Sequence, residues 1–221
     1  MMPKNDGDDG PPLCQPPPMR CGPYDMRVEM HGGNGGKGLE QIASTLWKGT
    51  SRVAGCSAAY IYREEGFDFV SVCAGGAAAL KDFATRYFTE SGRPKQPLKD
   101  MLHSKAKEGG LLHIESLEVR KDLRGNDLGL DFMESIIKCL AGPMKRVTLV
   151  MCQFKPADGQ CATNLQAHFK RLGFEQVPAA EADSEAAASK YFVLEPFALP
   201  KTRLPRGVNP HMKRDSQRKK R

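Results

Sequence analysis

No stretch of this 221-residue chain stays apolar for anything near the ~20 residues needed to cross a bilayer, so a membrane-spanning role is not expected. The first ten residues carry Asp and Gly where a secretory signal would carry a basic end and an apolar run, so a location inside the cell, cytoplasmic or nuclear, is expected. The seven cysteines form an odd set without a C-x-x-C pair. Cys56, Cys73, Cys139 and Cys152 fall in apolar periodic segments where a free thiol behaves as a small core residue, so neither disulfides nor a metal site are expected. What the chain does have is 40% hydrophobic residues over a length that supports one substantial core, hence one globular domain with attached segments.

The net charge of +7 is unevenly placed. Residues 201–221 hold nine Lys or Arg against one Asp, or +8, which leaves −1 for the preceding 200 residues. Basicity belongs to the tail, so the folded domain is not expected to bind nucleic acid. The ending Lys213-Arg214 to Arg221 is similar to a nuclear-import patch, or is simply a solvated tail. Residues 1–23 contain seven of the sixteen prolines and little that is apolar, and with 200–221 they are expected to lack structure. The domain is therefore expected at 24–199.

The rest of the chain is organised around 111–129. Leu111 to Val119 reads as a strand with Leu111, His113, Glu115, Leu117 and Val119 on one face. A polar turn, Arg124-Gly125-Asn126-Asp127-Leu128-Gly129, leads into a helix marked by Leu128, Phe132, Ile136 and Leu140 and stopped by Gly142-Pro143. A helix N-terminus fed by a tight turn offers free N–H groups and a positive dipole end, an anion site that Arg124 reinforces. The plainer alternative is a strand, turn and helix with a capping Asp and a surface Arg.

This stretch resembles the acyl-coenzyme A motif of the Gcn5-related N-acetyltransferases: Arg or Gln, two residues, Gly, one residue, then Gly or Ala. Arg124 and Gly129 match its ends, and Asp127 replaces its middle glycine. A carboxylate there repels a pyrophosphate unless it turns away, for instance by capping the helix at residues 129 or 130. A second block, Thr163 to Leu172 followed by Gly173-Phe174, resembles the family's later helix. Asn164 lies near its cofactor-touching Asn, and Phe169 stands where many members carry a Tyr that protonates the leaving thiolate. The resemblance implies a mixed, mostly antiparallel sheet flanked by helices, with acetyl-coenzyme A bound between splayed central strands.

Along the remainder, Tyr24–His31 reads as a half-buried strand and Leu39–Lys48 as a short helix. Arg52–Arg63 and Phe67–Cys73 read as a hairpin through Glu64-Glu65-Gly66. Ala77–Thr89 and Leu98–Lys107 read as helices within an insertion at 76–108. Val147–Phe154 reads as a buried parallel strand and Tyr191–Phe197 as the last strand. Between the first strand and the short helix, Gly33, Gly35 and Gly38 satisfy G-x-G-x-x-G, which opens an alternative: a dinucleotide-binding oxidoreductase using Gly33–Gly38. With five glycines in seven residues, the pattern is almost unavoidable.

On the acetyltransferase reading, the resemblance gives the turn Arg124–Gly129 the pyrophosphate and the backbone of Leu117 and Val119 the pantetheine amides. Glu115, then His113, stand where family members carry a general base; His113 read structurally is an ordinary half-buried strand histidine. His168 and Tyr191 are the remaining candidates for a thiol acid. The implied activity is acetyl transfer to a primary amine of a small molecule or protein, and a non-catalytic binding protein of the same fold is the alternative that Asp127 and Phe169 raise.

Overall fold

The computed structural model describes residues 19–32, 38–63, 67–103, 106, 108–141, 147–153, 162–180 and 190–199. One eight-stranded sheet, in the order β1-β2-β3-β4-β5-β6-β8-β7, separates two layers of helix. Its strands are β1 (Met19–Cys21), β2 (Tyr24–Gly32), β3 (Leu39–Lys48), β4 (Ser51–Ile61), β5 (Gly110–Val119), β6 (Val147–Gln153), β7 (Glu175–Gln176) and β8 (Tyr191–Leu194). All neighbours are antiparallel except β5 and β6, which are joined by α4 (Leu128–Leu140). A helical crossover between adjacent parallel strands is the connection such a pair requires.

On one face, Leu128, Leu130, Phe132, Met133, Ile136, Ile137 and Leu140 of α4 pack with Phe169 of α5 (Ala162–Lys170) on Val28, Ile42, Leu112 and Val150. On the other, α1 (Phe69–Ala74), α2 (Ala78–Tyr87) and α3 (Leu98–Met101) cover Ala59, Ile61, Leu111, Leu149, Met151, Tyr191 and Val193. The insertion therefore closes one sheet face. Asp82 of α2 ties it to β8, accepting from the Tyr191 hydroxyl and from Lys190 at 3.1 Å. Arg63 donates to the carbonyls of Ala106, Glu108 and Gly109, so the chain returning from the insertion is pinned at the mouth of β5.

Several expectations need correction. Leu39–Lys48 is a strand: Ile42, Ser44 and Leu46 alternate into the core, a two-residue period that outweighs the segment's helix-compatible composition. Its partners on both sides are strands, so Gly38 leads into a strand that runs antiparallel to β2 and to β4. No helix follows the glycines, which removes the strand-to-helix setting that a dinucleotide fingerprint requires; residues 33–37 lie outside the described residues. Phe67–Cys73 is not a hairpin arm. Asp68 caps α1 by accepting from the Ser71 N–H at 3.0 Å, and Phe69 and Cys73, four apart, are buried on one side. The helix at Leu98 ends at Met101 because the next amide in line, that of His103, donates to the Glu195 carboxylate instead. The last strand ends at Leu194. Finally, β1 pairs with β2 from Met19, so the sheet begins inside the segment 1–23 expected to lack structure. Residues 1–18, the turn 64–66, the stop Gly142-Pro143 and the tail 200–221 lie outside the described residues.

Candidate functional site: a splayed strand pair beside an uncapped helix

Strand β5 pairs with β4 throughout but with β6 only as far as Ile114↔Cys152. Beyond Ile114 the edge of β5 that faced β6 has no partner strand among the described residues. Strand geometry says which groups face the gap. The Arg120 N–H donates to Val53 on β4 at 2.9 Å, and backbone groups alternate along a strand, so the N–H and C=O of Val119 and Leu117 point away from β4. The Val119 carbonyl does so: it accepts from Arg124 Nε at 2.8 Å.

The gap opens at a bulge. Ser57 pairs with Ser116 and Ala58 with Ile114, leaving Glu115 as an extra residue. This overturns the expectation that His113, Glu115, Leu117 and Val119 share one face. Leu111 and His113 face α1–α3, with His113 between Ala59 and Met151. After the extra residue, Leu117 and Val119 join the α4 side. Period-two reading fails beyond a bulge because one inserted residue reverses every later side chain.

Burial raises the Glu115 carboxyl above the usual carboxylate range. Its charge also reaches Cys56, whose thiol is pushed up to about 12, mainly by burial and further by Glu115. His113, 2% exposed, is held down at about 4 by burial, so it is neutral at pH 7. Its Nδ1 has no hydrogen-bond partner and lies 4.0 Å from Glu115 Oε1, too far for a direct bond. Of the two candidate bases, Glu115 stands at the gap and His113 is sealed behind it.

The turn after β5 runs through an exposed Arg120–Asp122 ion pair and a single 3-10 turn, Lys121–Leu123. Gly125 has φ +86°, a conformation in which a side chain would be strained. Asn126 is exposed, and Arg124, bonded through Nε to Val119, has no hydrogen bond from its Nη groups among the described residues. Leu128 is buried in α4, while Gly129 brings the first turn of that helix against β5, where an added Cβ would meet Val119 at 3.4 Å and Leu117 at 3.7 Å.

Asp127 differs from expectation. It occupies the N-cap position of α4 in the left-handed region (φ 58°, ψ 8°) and makes no capping hydrogen bond. Its carboxylate turns to Arg171 just past α5, accepting from Nη1 at 2.9 Å and Nη2 at 2.6 Å. The first intrahelical bond is Asp131 N–H to Asp127 O. The earlier N–H groups, those of Leu128, Gly129 and Leu130, thus have no side-chain cap. Residue-by-residue reading missed Arg171; a carboxylate expected beside a phosphate site was the signal that a cation had to be sought.

Asn164 lies on α5, with its side chain outside the described residues. Phe169 is buried, edge-to-face with Phe174 at 5.9 Å. The Tyr191 hydroxyl is engaged by Asp82, and the His168 ring lies against Phe169. A separate groove of about 370 Å³ between the Cys21–Tyr24 turn and α4 is lined by Asp131, Glu134 and Lys138. Its ammonium is taken by Glu134 at 2.6 Å, so that groove is acidic and does not suit an anion.

A mixed, mostly antiparallel sheet that splays beyond a short parallel pair, with strand, turn and helix at the splay, is the architecture of the Gcn5-related N-acetyltransferases, and the chain has that fold. Neither protein-family models nor curated proteins give a match. Among solved structures, the chain is similar to NAA60 of Arabidopsis thaliana in complex with a bisubstrate analogue, at 10% identity over 72% of this chain and 74% of that one, with a TM-score of 0.39. It is similar to the polyamine N-acetyltransferase of Drosophila melanogaster at 15% identity, covering 69% and 74%, with a TM-score of 0.44. The same holds for an apo agmatine N-acetyltransferase, at 16% identity over 69% and 73%, with a TM-score of 0.43. These likenesses are distant.

Proposed function

We propose that the protein transfers an acetyl group from acetyl-coenzyme A to a primary amine of a small molecule or protein. The observation that carries this reading is the juxtaposition of an uncapped helix N-terminus with an unpaired strand edge. The donor set fits the ligand's two chemistries. The N–H groups opening α4 and the Arg124 guanidinium suit a pyrophosphate. The Leu117 and Val119 backbone suits the amides of an extended chain added as a strand.

When bound, acetyl-coenzyme A supplies the activated acyl group as a thioester. Glu115 takes the ammonium proton of the acceptor through a water, leaving the amine lone pair free to attack. Burial raises its pKa, which makes it a stronger base than an exposed Glu. His113, sealed behind Glu115, does not touch the acceptor. Phe169 has no hydroxyl and the Tyr191 phenol is bound to Asp82, so neither serves as thiol acid.

A second reading, a binding protein of the same fold, is favoured by Phe169 and by the carboxylate of Asp127 at the turn. Thermal denaturation with acetyl-coenzyme A separates these outcomes. At a hundred times the dissociation constant a ligand stabilises by about 2.7 kcal/mol, a shift of several degrees. Stabilisation together with turnover on an amine panel, reduced on the order of a hundredfold or more in Glu115→Gln, supports the enzyme. Stabilisation without turnover supports a binding protein that takes coenzyme A, and no shift at millimolar ligand removes the enzyme reading.

A further inference from the structure

We infer that Arg171 is the residue that keeps the anion site at the head of α4 open, by drawing Asp127 out of it. The inference rests on the reading of that turn as a pyrophosphate site. An Asp at an N-cap position ordinarily fills the site itself, its carboxylate accepting from the N–H groups of the second or third helical residue. A helix so capped has fewer donors left for an external phosphate and already holds a negative charge among them. Here the N-cap Asp makes no such bond, and both of its oxygens are held by the two Nη groups of Arg171.

Two further features show that the arrangement is imposed. Asp127 is the one non-glycine residue with positive φ among the described residues, whereas an N-cap normally sits in the extended region. A left-handed backbone is unfavourable for a residue with a Cβ and persists where its surroundings enforce it. The pair is also sheltered: the side chains are 12% exposed for Arg171 and 24% for Asp127, and a planar guanidinium against a carboxylate fixes direction as well as charge. Arg171 therefore has two effects on the turn. It neutralises a charge that would repel pyrophosphate, and it keeps that charge from capping the helix. It acts through Asp127 and is a positioning residue.

If so, the residue at 127 decides binding by its ability to cap. Asp127→Asn loses the ion pair and keeps a good capping side chain. Asp127→Gly loses both and accepts the left-handed backbone without strain. Both variants remove the ion pair with Arg171, and they differ chiefly in whether residue 127 carries a side chain able to cap the helix.

Coenzyme A and pantetheine, which lacks the pyrophosphate, serve as probes by calorimetry on the full chain. The expected result is that Asp127→Gly binds coenzyme A at least as tightly as wild type and Asp127→Asn about tenfold more weakly. Arg171→Met should weaken binding similarly, and adding Asp127→Gly to it should restore affinity to within about threefold of wild type. Pantetheine affinity should be the same in all of them, a pattern that general loosening of the fold would not give. Equal coenzyme A affinity for the Asn and Gly variants, or pantetheine losses that parallel those of coenzyme A, would overturn the inference. Should Arg171→Met fail to fold, the Asn–Gly contrast still decides. If the wild type fails to bind coenzyme A, the reading of the turn itself falls; if it binds and the variants are alike, only the role of Arg171 does.

Discussion

His113 and Glu115 are two residues apart and titrate in opposite directions for the same reason, since burial penalises whichever form is charged. For His113 the folded value of about 4 lies below the ordinary 6.5. Above pH 6.5 the imidazole is neutral in both states and costs nothing. As pH falls, the unfolded chain takes the proton and the folded chain resists, so stability is lost between about 6.5 and 4. The loss amounts to about 3 kcal/mol, and the side chain is buried enough to need little discount for solvent. Denaturant titrations at pH 7 and pH 4 should show a smaller difference for His113→Leu than for wild type; equal differences would mean the ring is solvated. Glu115 has the raised value, so its stabilising form is the protonated one, fully present below the unfolded pKa and lost as pH rises through the folded pKa. Glu115→Gln should accordingly be more stable than wild type at pH 7 by thermal denaturation while being less active. In wild type, kcat/KM should rise with pH through a value above that of an ordinary Glu, and the variant should lack that limb.

At the scale of the element, glycines separate tight packing from mere proximity. A Cβ on Gly110 would fall 2.2–2.4 Å from the phenol of Tyr60, itself 2% exposed and walled in between strands and helix. Gly110→Ala should therefore cost about 1–3 kcal/mol by denaturant midpoint. Gly55→Ala meets only the guanidinium end of Arg52, which swings aside, and should cost far less. These elements were unevenly legible in the sequence. α4 was readable at its full length because Leu128, Phe132, Ile136 and Leu140 repeat with helical spacing, and β6 because Val147–Gln153 is apolar on both faces. β3 was not, since Ala43, Ser44 and Thr45 favour neither period and only pairing with β2 and β4 decides. The turn was legible as an anion site, but its state depends on Arg171, 44 residues beyond Asp127, and no local pattern carries that. The bulge was equally hidden: strand composition records no inserted residue until a partner strand sets the register.

The whole molecule is a sheet held between two unequal helical layers, one built from the crossovers and one from the insertion. Its weakest seam is where β5 and β6 part. Hydrogen exchange should reveal this directly: the amides of Leu117 and Val119 should exchange much faster than that of Glu118, which faces β4, and acetyl-coenzyme A should slow the first two selectively. Uniform protection along β5 without ligand would show the edge to be covered.

The strand order places the entrance and exit of the chain far apart. β1 forms one edge and β8 lies one strand from the other, six inter-strand steps away, or roughly 30 Å at the usual spacing. A linker carried from β8 back to β1 around a helical layer would need at least about ten residues. Fluorophores attached on β1 and β8 would start at that separation, and any opening of the central seam would drive them further apart.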